Sequence, residues 1–327
     1  MDIEHLSQLV LDAQFPPSME KILIHFLHSY EEATCRSSSN EITSIVKTFL
    51  SLSKEQITHP YTFSHYHLAE HSPFDFYDFA LKMVRPLVDW DRSYISGKEH
   101  LEGIIAKLKR GENIIFLANH QSEIDPQAIN LLVSPISYDL ASSMTFVAGH
   151  RVTTDPLAVP FARGTNMLCI HSKRYIDQPP EQKVEKLLHN TKTLSQLEML
   201  LKEGGSCIYI APSGGRDRFD ENGTPKVAPF DPQSVEIFRL FAQRAKQPTH
   251  FHLLALSTIH LLPPPKSVNV ELGELREVSF SPIRLSFGPA LDFDTLSTAS
   301  DRKVQRKERS SWMTAEIEKM HENLIKE

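Results

Sequence analysis

A histidine and an aspartate stand five positions apart in Asn119-His120-Gln121-Ser122-Glu123-Ile124-Asp125-Pro126, directly after the apolar run Ile114-Ile115-Phe116-Leu117. Five helical steps turn about 140° past a full circle, so His120 and Asp125 cannot share one face of a continuous helix. They can meet across a strand-to-helix turn. The apolar run reads as a buried strand, and Asp125-Pro126 reads as an N-cap followed by the first helical residue. An imidazole held by a carboxylate keeps one tautomer and supports positive charge, which proton abstraction requires. Asp125 before a proline also has a bland explanation, a helix cap and nothing more.

A second segment weighs against the bland one. Ala211-Pro212-Ser213-Gly214-Gly215-Arg216-Asp217-Arg218 also follows an apolar run, Cys207-Ile208-Tyr209-Ile210. Paired glycines after a strand allow positive φ and close backbone approach. Arg216 and Arg218 can converge on one anion if the loop is not helical, and the planar guanidinium suits phosphate through two parallel hydrogen bonds. Taken alone, the pair reads equally as a solvated loop with local ion pairs to Asp217 and Asp220.

Together the two segments resemble the soluble, plastid-type glycerol-3-phosphate acyltransferases, within the wider acyltransferase superfamily that shares a His-x4-Asp motif. Further segments fit in order and spacing: Phe146-Val147-Ala148-Gly149, Thr154-Asp155-Pro156-Leu157, Ser172-Lys173-Arg174, and Leu254-Ala255-Leu256 followed by Leu262-Pro263-Pro264-Pro265. The resemblance runs from about residue 73 to about residue 288 and is loose outside those bounds.

The resemblance implies transfer of a fatty acyl group from a thioester to the sn-1 hydroxyl of glycerol-3-phosphate, giving lysophosphatidate. It makes His120 the general base and Asp125 its orienting carboxylate. Arg174, Arg216 and Arg218 become phosphate ligands. Tyr175 is a departure, because plastid relatives carry a lysine and a histidine where this chain has Arg174 and Tyr175. A tyrosine hydroxyl can donate but carries no positive charge, so the part played by Tyr175 stays open. His150 likewise stands where relatives have an aspartate. No cofactor or metal is implied. The donor is expected to be acyl carrier protein, docking transiently, or coenzyme A. Two other readings stay in view: acylation of lysophosphatidate, and a non-catalytic acyl-carrier or lipid-binding module on the same fold.

Around these residues the periodicity predicts two parts. Apolar residues at helical spacing over 3–10, 19–30 and 41–52 predict a small N-terminal helical bundle domain over 1–72. From 73 to 327 helices (98–109, 127–133, 181–202, 234–246) alternate with strands (113–118, 144–148, 167–171, 207–210, 250–257, 284–287). That alternation predicts an α/β fold with a mixed, largely parallel central sheet flanked by helices. Ligands in such sheets bind beyond the carboxyl ends of strands, where His120, Arg174 and Arg216 all fall.

Composition sets outer limits. With 327 residues, 40% hydrophobic and 23% charged, the chain can bury a sizeable core. A net charge of −6 argues against nucleic acid as a partner. The first residues lack both a secretory and a transit pattern, and Cys35, Cys169 and Cys207 have no CxxC spacing; a cytoplasmic setting is expected, a bacterial cytosol or, for a mature chain, the plastid stroma. Two other features compete for attention. His67-Leu68-Ala69-Glu70-His71 has the spacing of inverted zinc peptidases, against a plain histidine-rich linker in a chain with 16 histidines. The run Arg302-Lys303-Val304-Gln305-Arg306-Lys307-Glu308-Arg309 is a solvated helix face or a docking patch for an acidic partner, either the carrier protein or, peripherally, an anionic membrane.

Overall fold

Residues 113–118 are buried at every position, and their side chains divide between two faces. Ile115 and Leu117 join one apolar cluster while Ile114, Phe116 and Ala118 join another. A strand that is apolar on both faces has to lie between two helical layers. The computed structural model, which describes residues 3–172, 176–265 and 275–326, has that arrangement.

In chain order the elements begin with three helices, α1 (Ile3–Asp12), α2 (Pro17–Ala33) and α3 (Ser39–Thr58). There follow β1 (Tyr66–His67), α4 (Phe76–Val84), β2 (Tyr94–Ser96), α5 (Lys98–Lys109), β3 (Asn113–Ala118), α6 (Asp125–Val133) and α7 (Tyr138–Ser143). Next come β4 (Thr145–Gly149), α8 (Val159–Arg163), β5 (Asn166–Ile170), α9 (Lys183–Glu203) and β6 (Cys207–Ile210). The chain continues with β7 (Arg218–Phe219), β8 (Pro225–Lys226), α10 (Pro232–Ala245), β9 (Thr249–Ser257), β10 (Arg284–Ala290) and α11 (Arg302–Lys326).

Eight strands form one sheet in the order β1-β5-β4-β6-β3-β9-β10-β2. From β5 to β9 every pair is parallel, and antiparallel pairing appears at β1/β5 and β9/β10. The expected mixed, largely parallel sheet is therefore present. β3 lies centrally between β6 and β9, so the segments following these three strands emerge side by side. That places residues 119–125, 211–218 and 258–262 at one carboxyl edge.

The N-terminal helices pack against α4 and against loops of the later chain. Leu23, Leu27, Tyr30, Val46 and Phe49 share an apolar cluster with Met83, Val84, Ile124, Leu157 and Leu261. Tyr30 Oη donates to Met83 O at 2.8 Å, and Val278 N donates to Ser29 Oγ at 3.1 Å. These two bonds tie α2 to α4 and to the segment before β10. Among the described residues no helix is long and apolar enough to cross a membrane.

Candidate active site

β3 delivers His120 to the carboxyl edge, and Asn119 fixes the point of exit. Asn119 Nδ2 donates to Asp217 Oδ2 at 2.8 Å and to Leu256 O at 3.1 Å, while its Oδ1 accepts from Leu256 N at 2.8 Å. Tyr209 Oη donates to Asn119 O at 2.8 Å. The end of β3 is thus bound on both sides, to β9 and to β6, before the chain turns.

Asp125 is almost fully buried, and its carboxylate receives four hydrogen bonds. Oδ2 accepts from His120 Nδ1 at 2.8 Å and from Gln121 N at 2.9 Å. Oδ1 accepts from Ser122 N at 3.1 Å and from Thr258 Oγ1 at 2.6 Å. A carboxylate used only as an acceptor requires the His120 proton on Nδ1, which leaves a lone pair on Nε2. The His120 side chain is 32% exposed and lines a cavity, so that lone pair is reachable. Asp125 is not the helix N-cap expected from its place before Pro126. It is the first residue of α6, behind Ile124, and its side chain is taken by backbone groups upstream and by His120.

The arginine loop is bound to the same framework through Asp217. Asp217 N donates to His120 O at 2.6 Å. Its fully buried carboxylate accepts from Asn119 and Gln121 at Oδ2 and from Ala228 N at Oδ1. Burial pushes this carboxyl up to about 6, outweighing the three donors that favour the charged form. With Asp217 turned inward, Arg216 and Arg218 on either side both line the cavity. Among the described residues the two carboxylates of the solvated-loop reading are engaged elsewhere: Asp217 is spent on the network, and Asp220 caps its own turn through Asn222 N and Thr224 N. Gly214 has φ +64°, and a Cβ there would meet nothing within 4 Å, so the loop leaves open space beside Arg216.

Arg216 Nη1 meets Glu123 Oε1 at 3.3 Å. Glu123 Oε2 is held by Arg276 Nε at 2.9 Å, and Arg276 Nη2 reaches Asp155 Oδ2 at 2.8 Å. Burial alone would raise the Glu123 carboxyl, but Arg276 and Arg216 together hold it down to about 2. Arg218 Nη1 donates to Pro265 O at 2.5 Å. Gln121 completes the frame: its Oε1 accepts from Thr258 N at 2.7 Å, and its Nε2 lies 3.0 Å from His321 Nε2 on α11. Burial lowers His321 to about 4, so it is neutral and accepts from Gln121.

His120, Asp125, Arg216 and Arg218 therefore share one cavity of about 370 Å³. Arg174 and Tyr175 lie outside the described residues, two and three positions past Ser172, which lines the same cavity. His150 also lines it, its ring 5.5 Å from that of His171. The sequence reading missed the roles of Glu123, Asp155, Asp217, Thr258 and Arg276. The first three lay inside quoted motifs and could have been singled out. Arg276 sits in a segment without regular structure, and nothing in its neighbourhood marks it.

Two competing features change character. The zinc-peptidase spacing at 67–71 does not fall on a helix: His67 is in β1 with Nε2 3.1 Å from Arg163 O, and Glu70 pairs with Arg163 at 2.6 Å. In the C-terminal basic run, Arg309 is buried and donates to Phe293 O at 3.0 Å, so it cannot serve a docking patch. Lys303 and Lys307 remain exposed, and half-exposed Arg306 lies 3.7 Å from Glu236.

The family model described as Acyltransferase matches residues 95–251. Over 318 residues the chain is 34% identical to a chloroplastic glycerol-3-phosphate acyltransferase of Cucurbita moschata, covering 96% of this chain and 71% of that one. It is 35% identical over 288 residues to the chloroplastic glycerol-3-phosphate acyltransferase of Arabidopsis thaliana, covering 86% and 63% respectively. With that of Phaseolus vulgaris it shares 37% over 271 residues, covering 83% and 58%. A solved 1-acyl-sn-glycerophosphate acyltransferase from Thermotoga maritima is similar over 75% of this chain and 78% of its own, at 17% identity and a TM-score of 0.43, too distant to bear on the site.

Proposed function

The chain belongs to the glycerol-3-phosphate acyltransferase family, and on that premise we propose that it moves a fatty acyl group from a thioester to the sn-1 hydroxyl of glycerol-3-phosphate. The observation that carries this reading is the shared cavity: a histidine–aspartate pair at 2.8 Å lies beside two arginines suited to a phosphate dianion. His120 Nε2 accepts the hydroxyl proton while the oxygen attacks the thioester carbonyl. Asp125 holds the ring and supports the imidazolium. The tetrahedral adduct collapses by breaking the carbon–sulfur bond, and the imidazolium returns its proton to the departing thiolate, leaving lysophosphatidate and free thiol. Proton transfer of this kind contributes about 10²- to 10⁴-fold in rate.

Arg216 and Arg218 bind the phosphate, with Arg174 as a third ligand and Tyr175 as a neutral donor beside it. Direct attack within a ternary complex fits the cysteines, since Cys35 is not among the residues lining the cavity, while Cys169 and Cys207 are buried and burial pushes both thiols up, Cys169 to about 12. The apolar side of the cavity takes the acyl chain. The thioester is carried by acyl carrier protein or coenzyme A, with Lys303, Arg306 and Lys307 as the docking face for an acidic carrier. In the same reading residues 1–72 are a mainly helical unit, whose β1 adds an edge strand to the sheet, and residues 73–327 are the catalytic unit.

The test is acyl transfer by the purified protein with glycerol-3-phosphate and with lysophosphatidate as separate acceptors. Acylation of glycerol-3-phosphate at sn-1, with little turnover of lysophosphatidate, is expected. Preference for lysophosphatidate would replace this reading with the later acylation step, and turnover of neither would leave a non-catalytic lipid-binding module.

A further inference from the structure

The apolar part of the cavity is walled by two distant stretches of sequence. From His120 and Asp125 the lining continues through Ile124, Leu157 and Phe161 to Phe26 and Tyr30 on α2 and Phe49 on α3. The continuity is physical. Ile124, Leu157, Phe26 and Phe49 belong to one apolar cluster, and the Phe49 ring lies 6.0 Å from that of Phe161. Phe26 lies 5.5 Å from Phe49 and 5.8 Å from Tyr30, centroid to centroid, so three tilted aromatic rings from the N-terminal helices cluster at this end.

The cluster is fixed in place. Tyr30 is fully buried and its hydroxyl is committed to Met83 O. Ser29 Oγ donates to Phe26 O at 2.8 Å while accepting from Val278 N, which pins the same turn of α2 to the body of the protein. Phe49 is only 2% exposed. Rings held this way form a wall that cannot swing aside without breaking hydrogen bonds and leaving a void. Its surface toward the cavity is hydrocarbon, because the one hydroxyl present is already satisfied. Such an end fits a methyl terminus and no polar group.

Resting on the acyl-transfer reading above, we propose that α2 and α3 close the far end of the acyl slot, and that Phe26 and Phe49 set the chain length the enzyme accepts. The N-terminal helices then take part in specificity as well as in folding. Each methylene that gains or loses an apolar site changes binding by a factor of about four, so one two-carbon step is worth about 15-fold.

The experiment supplies the full-length protein with glycerol-3-phosphate and an equimolar mixture of saturated acyl thioesters of graded length, and reads the lysophosphatidate profile by mass spectrometry. Phe49→Leu and Phe26→Leu remove ring volume and should move the profile toward longer chains, by about tenfold in the ratio of neighbouring even-numbered products. Val84→Phe adds volume to the same slot and should move it toward shorter chains. The ratio is internal to each protein and does not depend on how much of a variant is active. Opposite shifts would establish the wall. A profile identical to wild type in the leucine variants would overturn the proposal while leaving acyl transfer intact, whereas absence of wild-type turnover would instead overturn the parent reading.

Discussion

Replacing Arg216 with alanine separates substrate recognition from fold more cleanly than any other change in the site. Arg216 is paired with Glu123, a largely buried carboxylate, and stripping a buried charge of its last partner costs about 3–5 kcal/mol. Glu123 would not be stripped, because Arg276 still holds its other oxygen at 2.9 Å. The Arg216–Glu123 contact of 3.3 Å is long beside the roughly 2.7–2.9 Å of a tight charged hydrogen bond, so this contact opposes an incoming phosphate only weakly. The variant should fold. What it loses is one charge-assisted hydrogen bond to the acceptor, about 1.5–3 kcal/mol, which is about 10- to 150-fold in affinity. Initial rates measured against glycerol-3-phosphate at saturating thioester should show KM raised by one to two orders of magnitude. Plain glycerol, which has no phosphate to bind, should be a very poor acceptor for wild type, and the variant should scarcely change that low rate. A folded Arg216→Ala protein with wild-type KM for glycerol-3-phosphate would refute the assignment of this loop to the phosphate.

Asp125→Asn should lower kcat about 10²-fold or somewhat less, because an amide cannot accept at both positions and support the imidazolium; a pH–rate profile with unchanged kcat would count against the pairing. Asp217 has a folded pKa of about 6 against an ordinary 3.8, so between those values the folded state binds the extra proton and stability falls as pH rises, by about 3 kcal/mol in all. Melting temperatures of wild type relative to Asp217→Asn should therefore fall from about pH 4 to about pH 6 and level off above, whereas a gap independent of pH would show that Asp217 does not titrate in this way. Charge reversal at Lys303 and Lys307 should raise KM for an acyl-carrier-protein donor more than for a coenzyme A donor, and added salt should shrink the difference because exposed charges are screened beyond about 8 Å at physiological ionic strength. Equal effects on both donors would return the run to a solvated helix face.

The sheet was legible because its central strands announce themselves. Runs such as 113–118 and 207–210 are apolar at every position, and the helices between them keep a helical period long enough to read, as over 98–109. The elements that escaped were short or lacked such a pattern. β1 and β2 have two and three residues, too few for a period, and exist because the sheet edge pairs with them. α4 was overlooked although Asp75, whose carboxylate accepts from Asp78 N at 2.9 Å, is an ordinary N-cap signal. His120, Asp125, Arg216 and Arg218 could be found because each follows a strand closely. Arg276 could not, since only the folded chain brings it between Glu123 and Asp155. The Asp125 error has a similar origin: a carboxylate before proline usually caps its own helix, and here the loop amides and His120 compete for it and win.

The central claim is that His120 Nε2 removes the acceptor's proton. Its most direct test is the turnover of purified, folded His120→Ala with saturating glycerol-3-phosphate and acyl thioester, alongside glycerol-3-phosphate binding measured by calorimetry. The account predicts a fall in kcat of at least about 10²-fold with glycerol-3-phosphate still bound. Near-normal turnover in that variant would contradict it.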